Sequence, residues 1–107
     1  MFARQVSVRL KPNTPFAEFT RTFDHDVLPL LRKQKGFQDD ITFVNPDGNE
    51  VTSISVWDQK QSADNYDRSA YPAILTALSK VIEGTPTVRT SEVGTATFSK
   101  AAAARSM

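Results

Sequence analysis

Ile41-Thr42-Phe43-Val44-Asn45-Pro46-Asp47-Gly48-Asn49-Glu50-Val51-Thr52-Ser53-Ile54-Ser55-Val56-Trp57 is two runs of alternating polarity around a centre dense in turn residues. Ile41 and Phe43 alternate with Thr42. From Glu50 to Trp57 the alternation returns, with Ser53, Ser55 and Trp57 on one face and Ile54 and Val56 on the other. Asn45 to Asn49 supplies the restricted and left-handed backbone that a reversal needs, so the stretch reads as a β-hairpin.

Helical spacing flanks the hairpin on both sides. Upstream, Phe16, Phe19, Phe23, Val27, Leu30 and Leu31 recur every three or four residues and draw one apolar stripe down a helix that ends near Lys35. Thr14-Pro15 fits its opening, with a hydroxyl cap and a proline that has no N–H to lose. Arg32, Lys33 and Lys35 complement its negative end, and Gly36-Phe37 fits a left-handed glycine cap. Downstream, Ser62 is the expected cap of a second helix carrying Ala63, Tyr66, Ala70, Ile74, Leu78, Val81 and Ile82, closed by Gly84 and Pro86. Each helix has a proline in mid-pattern. Pro29 cannot donate to the carbonyl of His25 and crowds that turn, so the helix must bend or be re-laid there. Pro72 predicts one bent helix or two pieces divided near Ala70-Tyr71.

Outermost lie two further strands. Val6, Val8 and Leu10 alternate with Gln5, Ser7 and Arg9, and Val88 to Val93 forms the last strand. The order strand, helix, hairpin, helix, strand defines a small two-layer α+β domain. We expect an antiparallel sheet with two helices on one face. Apolar residues occur in both strand parities, Val6, Val8, Ile54 and Val56 against Val51 and Trp57, which suggests that a second subunit covers the other face.

At 107 residues the chain suits one domain with one modest core. We place the domain at residues 1–98 and expect 99–107, all small or charged residues and a terminal methionine, to be a flexible or partner-docked tail. Thirteen Lys and Arg against twelve Asp and Glu leave a net charge of +1. That supplies neither the basic field that nucleic acid rewards nor a polybasic membrane footprint, so neither partner is expected. Cysteine is absent, which removes disulfides, thiolate catalysis and zinc-thiolate or iron–sulfur sites and fits a reducing, cytoplasmic setting. Met1 to Leu10 alternates in polarity and contains Arg4 and Arg9, unlike a signal peptide or a membrane span.

Familiar catalytic patterns are missing. The one histidine, His25, lies between Asp24 and Asp26, but helix neighbours point about 100° apart and cannot converge on a metal, so we read His25 as solvated and expect no metal site. No G-x-S-x-G elbow occurs, and the glycines at 36, 48, 84 and 94 build no phosphate-cradling loop. What remains is aromatic. Trp57 either packs beneath the second helix or lines a cleft with Tyr66, Tyr71 and Arg89 between sheet and helices, the kind of wall a planar, weakly polar ligand requires. Gln5, Ser7, Arg9, Ser53 and Ser55 are the polar strand positions, and either sheet face could meet the helices.

Val27-Leu28-Pro29-Leu30-Leu31-Arg32-Lys33-Gln34-Lys35-Gly36-Phe37, with Ile54-Ser55-Val56-Trp57-Asp58 and the helix after it, resembles the antibiotic biosynthesis monooxygenase family across roughly residues 4 to 95. The resemblance implies a ferredoxin-like βαββαβ fold paired into a homodimeric α+β barrel. It also implies either a cofactor-independent oxygenase of quinol-like aromatics or a haem-degrading enzyme. The haem-degrading type pairs a strand tryptophan with a helix histidine, where this chain has Tyr66 and Tyr71. The cofactor-independent type sets Trp, Asn, Tyr and Arg around an aromatic anion and dioxygen. Trp57 matches by position, and Asn65, Tyr66 and Arg89 in kind. On that reading no cofactor is needed. Tyr66, Tyr71 and Arg89 are the catalytic candidates, while Trp57, Arg9 and Asn65 are the substrate-binding ones. Tyr66 or Tyr71 would hydrogen-bond the substrate oxygen, Arg89 or Arg9 would stabilise a phenolate, and Trp57 would pack the ring. The alternative is a non-catalytic dimeric module that binds a small molecule or assembles.

Overall fold

The computed structural model describes residues 1–97; the expected tail, 99–107, lies outside the described residues. Four strands, β1 (Phe2–Leu10), β2 (Phe37–Asn45), β3 (Glu50–Trp57) and β4 (Ile82–Glu92), form one sheet in the order β2-β3-β1-β4. Every neighbouring pair is antiparallel, the ferredoxin-like arrangement. Two helical arms cross it, α1 (Phe16–Thr22) with α2 (Leu28–Arg32), and α3 (Lys60–Ser69) with α4 (Tyr71–Leu78).

Both prolines are absorbed as breaks. Between α1 and α2 the ladder widens to a π turn, Phe23–Val27, where the Leu28 N–H donates to the Phe23 carbonyl five residues back. Pro29 then falls in the first turn of α2, where its missing N–H has no bond to lose. Pro72 sits likewise in the first turn of α4, and α3 ends with the Ala70 N–H on the Tyr66 carbonyl at 3.0 Å.

Local chemistry departs from expectation at four helix ends, the first being α2, which closes at Arg32 with Lys33 as its cap, short of the expected end at Lys35 and glycine cap at Gly36. Pro15 and Gln59, not Thr14 and Ser62, occupy the N-cap positions of α1 and α3, without side-chain caps. Ser62 is buried instead against the turn at Gly36. There φ is +87°, and an added Cβ would run into Asp58 and Ser62, so only glycine fits. The Asp58 N–H donates to the Gly36 carbonyl at 2.9 Å, tying the start of β2 to the exit of β3. The second helical arm also stops earlier, at Leu78. Val81 and Ile82 are buried, but Ile82 already opens β4. That strand passes through Gly84 (φ +72°) and Pro86 as a bulge, because the register jumps from Ser7↔Thr87 to Arg9↔Glu83. An edge strand tolerates both residues where a central strand would not.

Register decides which face is core. Phe2 pairs with Trp57, Val6 with Ser53 and Val8 with Val51. Even positions of β1 and odd positions of β3 therefore share the helix-covered face. This corrects the parity argument made from sequence. Val6 and Val8 belong with Val51 and Trp57, leaving Ile54 and Val56 on the face away from the helices, beside Ile41 and Phe43 of β2. The core fills the space between sheet and helices, with Trp57, Leu10, Val27, Val51, Ile74 and Val81 as its most enclosed large side chains.

Candidate functional site

The strand parity that buries Val8 and Leu10 also buries Arg4, whose residue is only 3% exposed. A guanidinium in that layer is costly unless it is paired and well packed. Its Nη2 donates to Asp67 Oδ1 of α3 at 2.6 Å. Its plane lies over the Tyr71 ring, with Cζ 4.0 Å from the centroid, and 5.4 Å from that of Tyr66. The rings continue as a column. Tyr71 meets Tyr66 at 6.0 Å, Tyr66 meets Trp57 at 4.9 Å, and Trp57 meets Phe37 edge-on at 5.5 Å. The Trp57 indole N–H donates to Ser55 Oγ at 2.9 Å.

Tyr71 leaves a polar atom unused. Its hydroxyl is buried with no hydrogen-bond partner among the described residues. Arg4, stacked on the ring face, favours the ionised form through its charge and through an approach to the oxygen that falls short of full hydrogen-bond geometry. Burial outweighs that influence and holds the proton on Tyr71; burial does the same more strongly at Tyr66. Both phenols are therefore donors at neutral pH.

Across the cavity stands Asp40 of β2, paired in register with Ser55. Its Oδ2 accepts from Ser53 Oγ at 2.7 Å and its Oδ1 from Thr42 Oγ1 at 2.8 Å. Burial raises its proton affinity above an ordinary aspartate, partly opposed by the Ser53 and Thr42 hydrogen bonds. Arg4, Asp40, Tyr66 and Tyr71, with Ser53 and Ser55 on the sheet, line an inner cavity of about 50 Å³ otherwise walled by apolar side chains. Beyond it runs an open groove of about 710 Å³ between the first helical arm and the edge strand β2. Phe19, Phe23 and Asp40 line both spaces and so form the partition between them.

The candidates read from sequence divide accordingly. Tyr66 and Tyr71 converge on the inner cavity. Trp57, wholly buried, backs Tyr66 without lining either space. Asn65 is on the exposed side of α3, where its Oδ1 accepts from Arg68 at 2.6 Å. Arg89 pairs in register with Gln5, and Arg9 shares the parity of Gln5 on β1, so both lie on the sheet face away from the cavity. The cation that does face it, Arg4, was missed, as was Asp40. A signal for Arg4 was present, because it continues the Val6, Val8, Leu10 series. Asp40 gives none without the register. His25 is exposed, as expected. Among the described residues no three His, Asp or Glu side chains cluster as a metal site would require, and no helix is long and apolar enough to cross a membrane.

The chain thus folds as a four-stranded antiparallel sheet with two helical arms over one face. Solved structures share it at low sequence identity. The monooxygenase ActVA-Orf6 of Streptomyces coelicolor, solved with nanaomycin D, superposes with a TM-score of 0.73 at 19% identity, covering 92% of this chain and 92% of that one. SnoaB, a cofactor-independent oxygenase from Streptomyces nogalater, gives 0.64 at 18% identity over 86% of this chain and 93% of that one. A protein of unknown function from Nitrosomonas europaea, NE2512, gives 0.73 at 15% identity over 92% and 93%. No protein-family model matches the sequence, and no curated protein matches it.

Proposed function

We propose that this chain is a cofactor-independent, monooxygenase-like protein of the antibiotic biosynthesis type, holding a small phenol- or quinol-like molecule against Arg4, Tyr66 and Tyr71. The observation that carries the reading is the buried cation beside an unpartnered tyrosine hydroxyl, both at one cavity. A guanidinium and a spare phenolic donor are what a phenolate oxygen would use, and stabilising that anion is the protein's share of a reaction driven by the substrate's own acidity. Arg4 takes the role that sequence alone assigned to Arg9 or Arg89. Fold similarity to two oxygenases supports the reaction class.

Space sets a condition. About 150 Å³ accommodates benzene, so a ring enters the inner cavity of about 50 Å³ only if Phe23 swings toward the groove. Phe23 is only partly buried and sits on the π turn, a helical irregularity frequent at functional sites. The same small volume favours a second reading, a non-catalytic dimeric module with a filled cleft. On either reading we propose a homodimer in which Ile41 and Phe43, each 52% exposed, are covered by a second copy.

Trp57, the single tryptophan, reports occupancy because its ring touches Tyr66. Hydroxynaphthoquinols and catechols should change its emission saturably and be consumed together with oxygen. Binding without oxygen uptake would favour the module, and no binding would remove the cleft as a ligand site.

A further inference from the structure

A phenol must lose its proton before its ring becomes electron-rich enough to react with oxygen, and the two tyrosines cannot take it. Burial holds both as donors, and Arg4 has no lone pair to offer. Among the described residues one carboxylate lines the inner cavity, and it also lines the groove through which a ring would arrive. We propose that Asp40 is the proton acceptor of this site, taking the hydroxyl proton of a ligand seated between it and Arg4. The inference rests on the reading of the cavity as a phenol site.

The geometry suits that role. Ser53 and Thr42 each donate to a different carboxylate oxygen, at 2.7 and 2.8 Å, which fixes the group and leaves a lone pair on each oxygen. In the step, the ligand O–H bond breaks, its electron pair stays on the ligand oxygen and the proton bonds to an Asp40 oxygen. One negative charge thus moves from the carboxylate to the ligand, on the side where Arg4 lies, and no oxidant is needed. The other charged and titratable groups around Asp40 are Arg4 on β1 with Tyr66 and Tyr71 on the helices, and, along the groove, Asp39, Asp24 of the π turn and Arg32 of α2. Desolvation, which keeps the proton affinity of Asp40 above that of a surface aspartate, helps it compete for the proton.

Calorimetric titration with para-nitrophenol, in buffers of different ionisation heat and above the pH at which the free phenol ionises, counts the protons that accompany binding. The whole chain should take up about one proton per ligand, shared between the ligand oxygen and Asp40. Asp40→Asn should bind the phenolate with no uptake. Binding to the native chain without proton uptake, an arm that needs no variant to fold, would overturn the role of Asp40 and leave the cavity reading intact. The same uptake persisting in Asp40→Asn would do likewise. No binding by the native chain would overturn both.

Discussion

The two faces of the sheet carry arginines in opposite circumstances. On the helix side Arg4 is enclosed, ion-paired to Asp67 and stacked on Tyr71. On the far side Arg9 and Arg89 are exposed on the two strands β1 and β4, near Ser7 and Gln5, while the apolar pair Ile41 and Phe43 lies on the opposite edge strand β2. One residue of register separates these fates, since a strand turns successive side chains to opposite faces. Chemistry has followed burial. The helix face has a cation, a carboxylate and two phenols whose properties are set by desolvation, whereas the far face offers charges that water screens.

The largest test of this contrast is at Trp57. It is fully enclosed and holds Phe37 and Tyr66 in place, so Trp57→Ala should lose roughly 3 to 5 kcal/mol in denaturant unfolding. Arg89→Ala on the far face should stay within about 0.5 kcal/mol. Similar losses at both positions would mean that the far face is as tightly packed as the core. Phe23→Ala comes next. The sequence stripe marks Phe23 as a mid-helix core residue worth about 3 to 5 kcal/mol, but it is only partly buried beside the groove. We therefore expect about half that loss.

Ligand binding separates the two faces at a smaller scale. Arg4→Met keeps much of the buried volume while removing the cation, and binding of a phenolate should weaken about 10- to 100-fold, the worth of one charge-assisted hydrogen bond. The same change at Arg89 should leave affinity unaltered. Equal losses at both would put the ligand on the wrong side of the sheet. Replacing Ile41 and Phe43 together by serine should leave the fold intact but turn a homodimer into a monomer by light scattering. A native chain that is already monomeric at micromolar concentration would remove the proposed interface.

How much of this was legible beforehand follows from how local each signal is. The hairpin, the helical stripes and the breaks at Pro29 and Pro72 depend on neighbours in sequence, and they stand where expected. The expected Ser62 cap failed because Gly36, Asp58 and Ser62 meet only in three dimensions, and that contact uses Ser62 as packing. Ile82 fits a helix by periodicity alone, yet pairing with Leu10 draws it into β4. For the site, the tyrosines were found because aromatic side chains on an apolar helix face announce themselves. Arg89 and Arg9 were favoured because any arginine resembles a phenolate partner; Arg4 continues the apolar Val6, Val8, Leu10 series, but the β1–β3 and β1–β4 registers were needed to show that this series faces the cavity. Asp40 was invisible because its significance lies in Ser53 and Thr42 and in burial, none of which composition records.

The smallest effect expected concerns the pH dependence of stability, and it follows from Asp40 being on the enclosed face. Its carboxyl has a higher proton affinity in the folded chain than the ordinary aspartate value of 3.8, because desolvation penalises the charged form more than the two hydroxyl donors repay. Between the unfolded and the folded values, the folded chain therefore binds more protons than the unfolded one. The contribution of Asp40 to stability must fall as pH rises through that window, the reverse of the usual salt-bridged aspartate. Asp40→Asn carries no charge at any pH, so its stability relative to the native chain should improve across the window and then stay level toward neutrality. Urea midpoints of the two proteins, measured from below pH 4 upward, give the difference directly. A relative stability that instead worsens as pH rises would mean that the Ser53 and Thr42 hydrogen bonds outweigh burial. Asp40 would then be an anchored anion, a weaker proton acceptor than its place in the cavity requires.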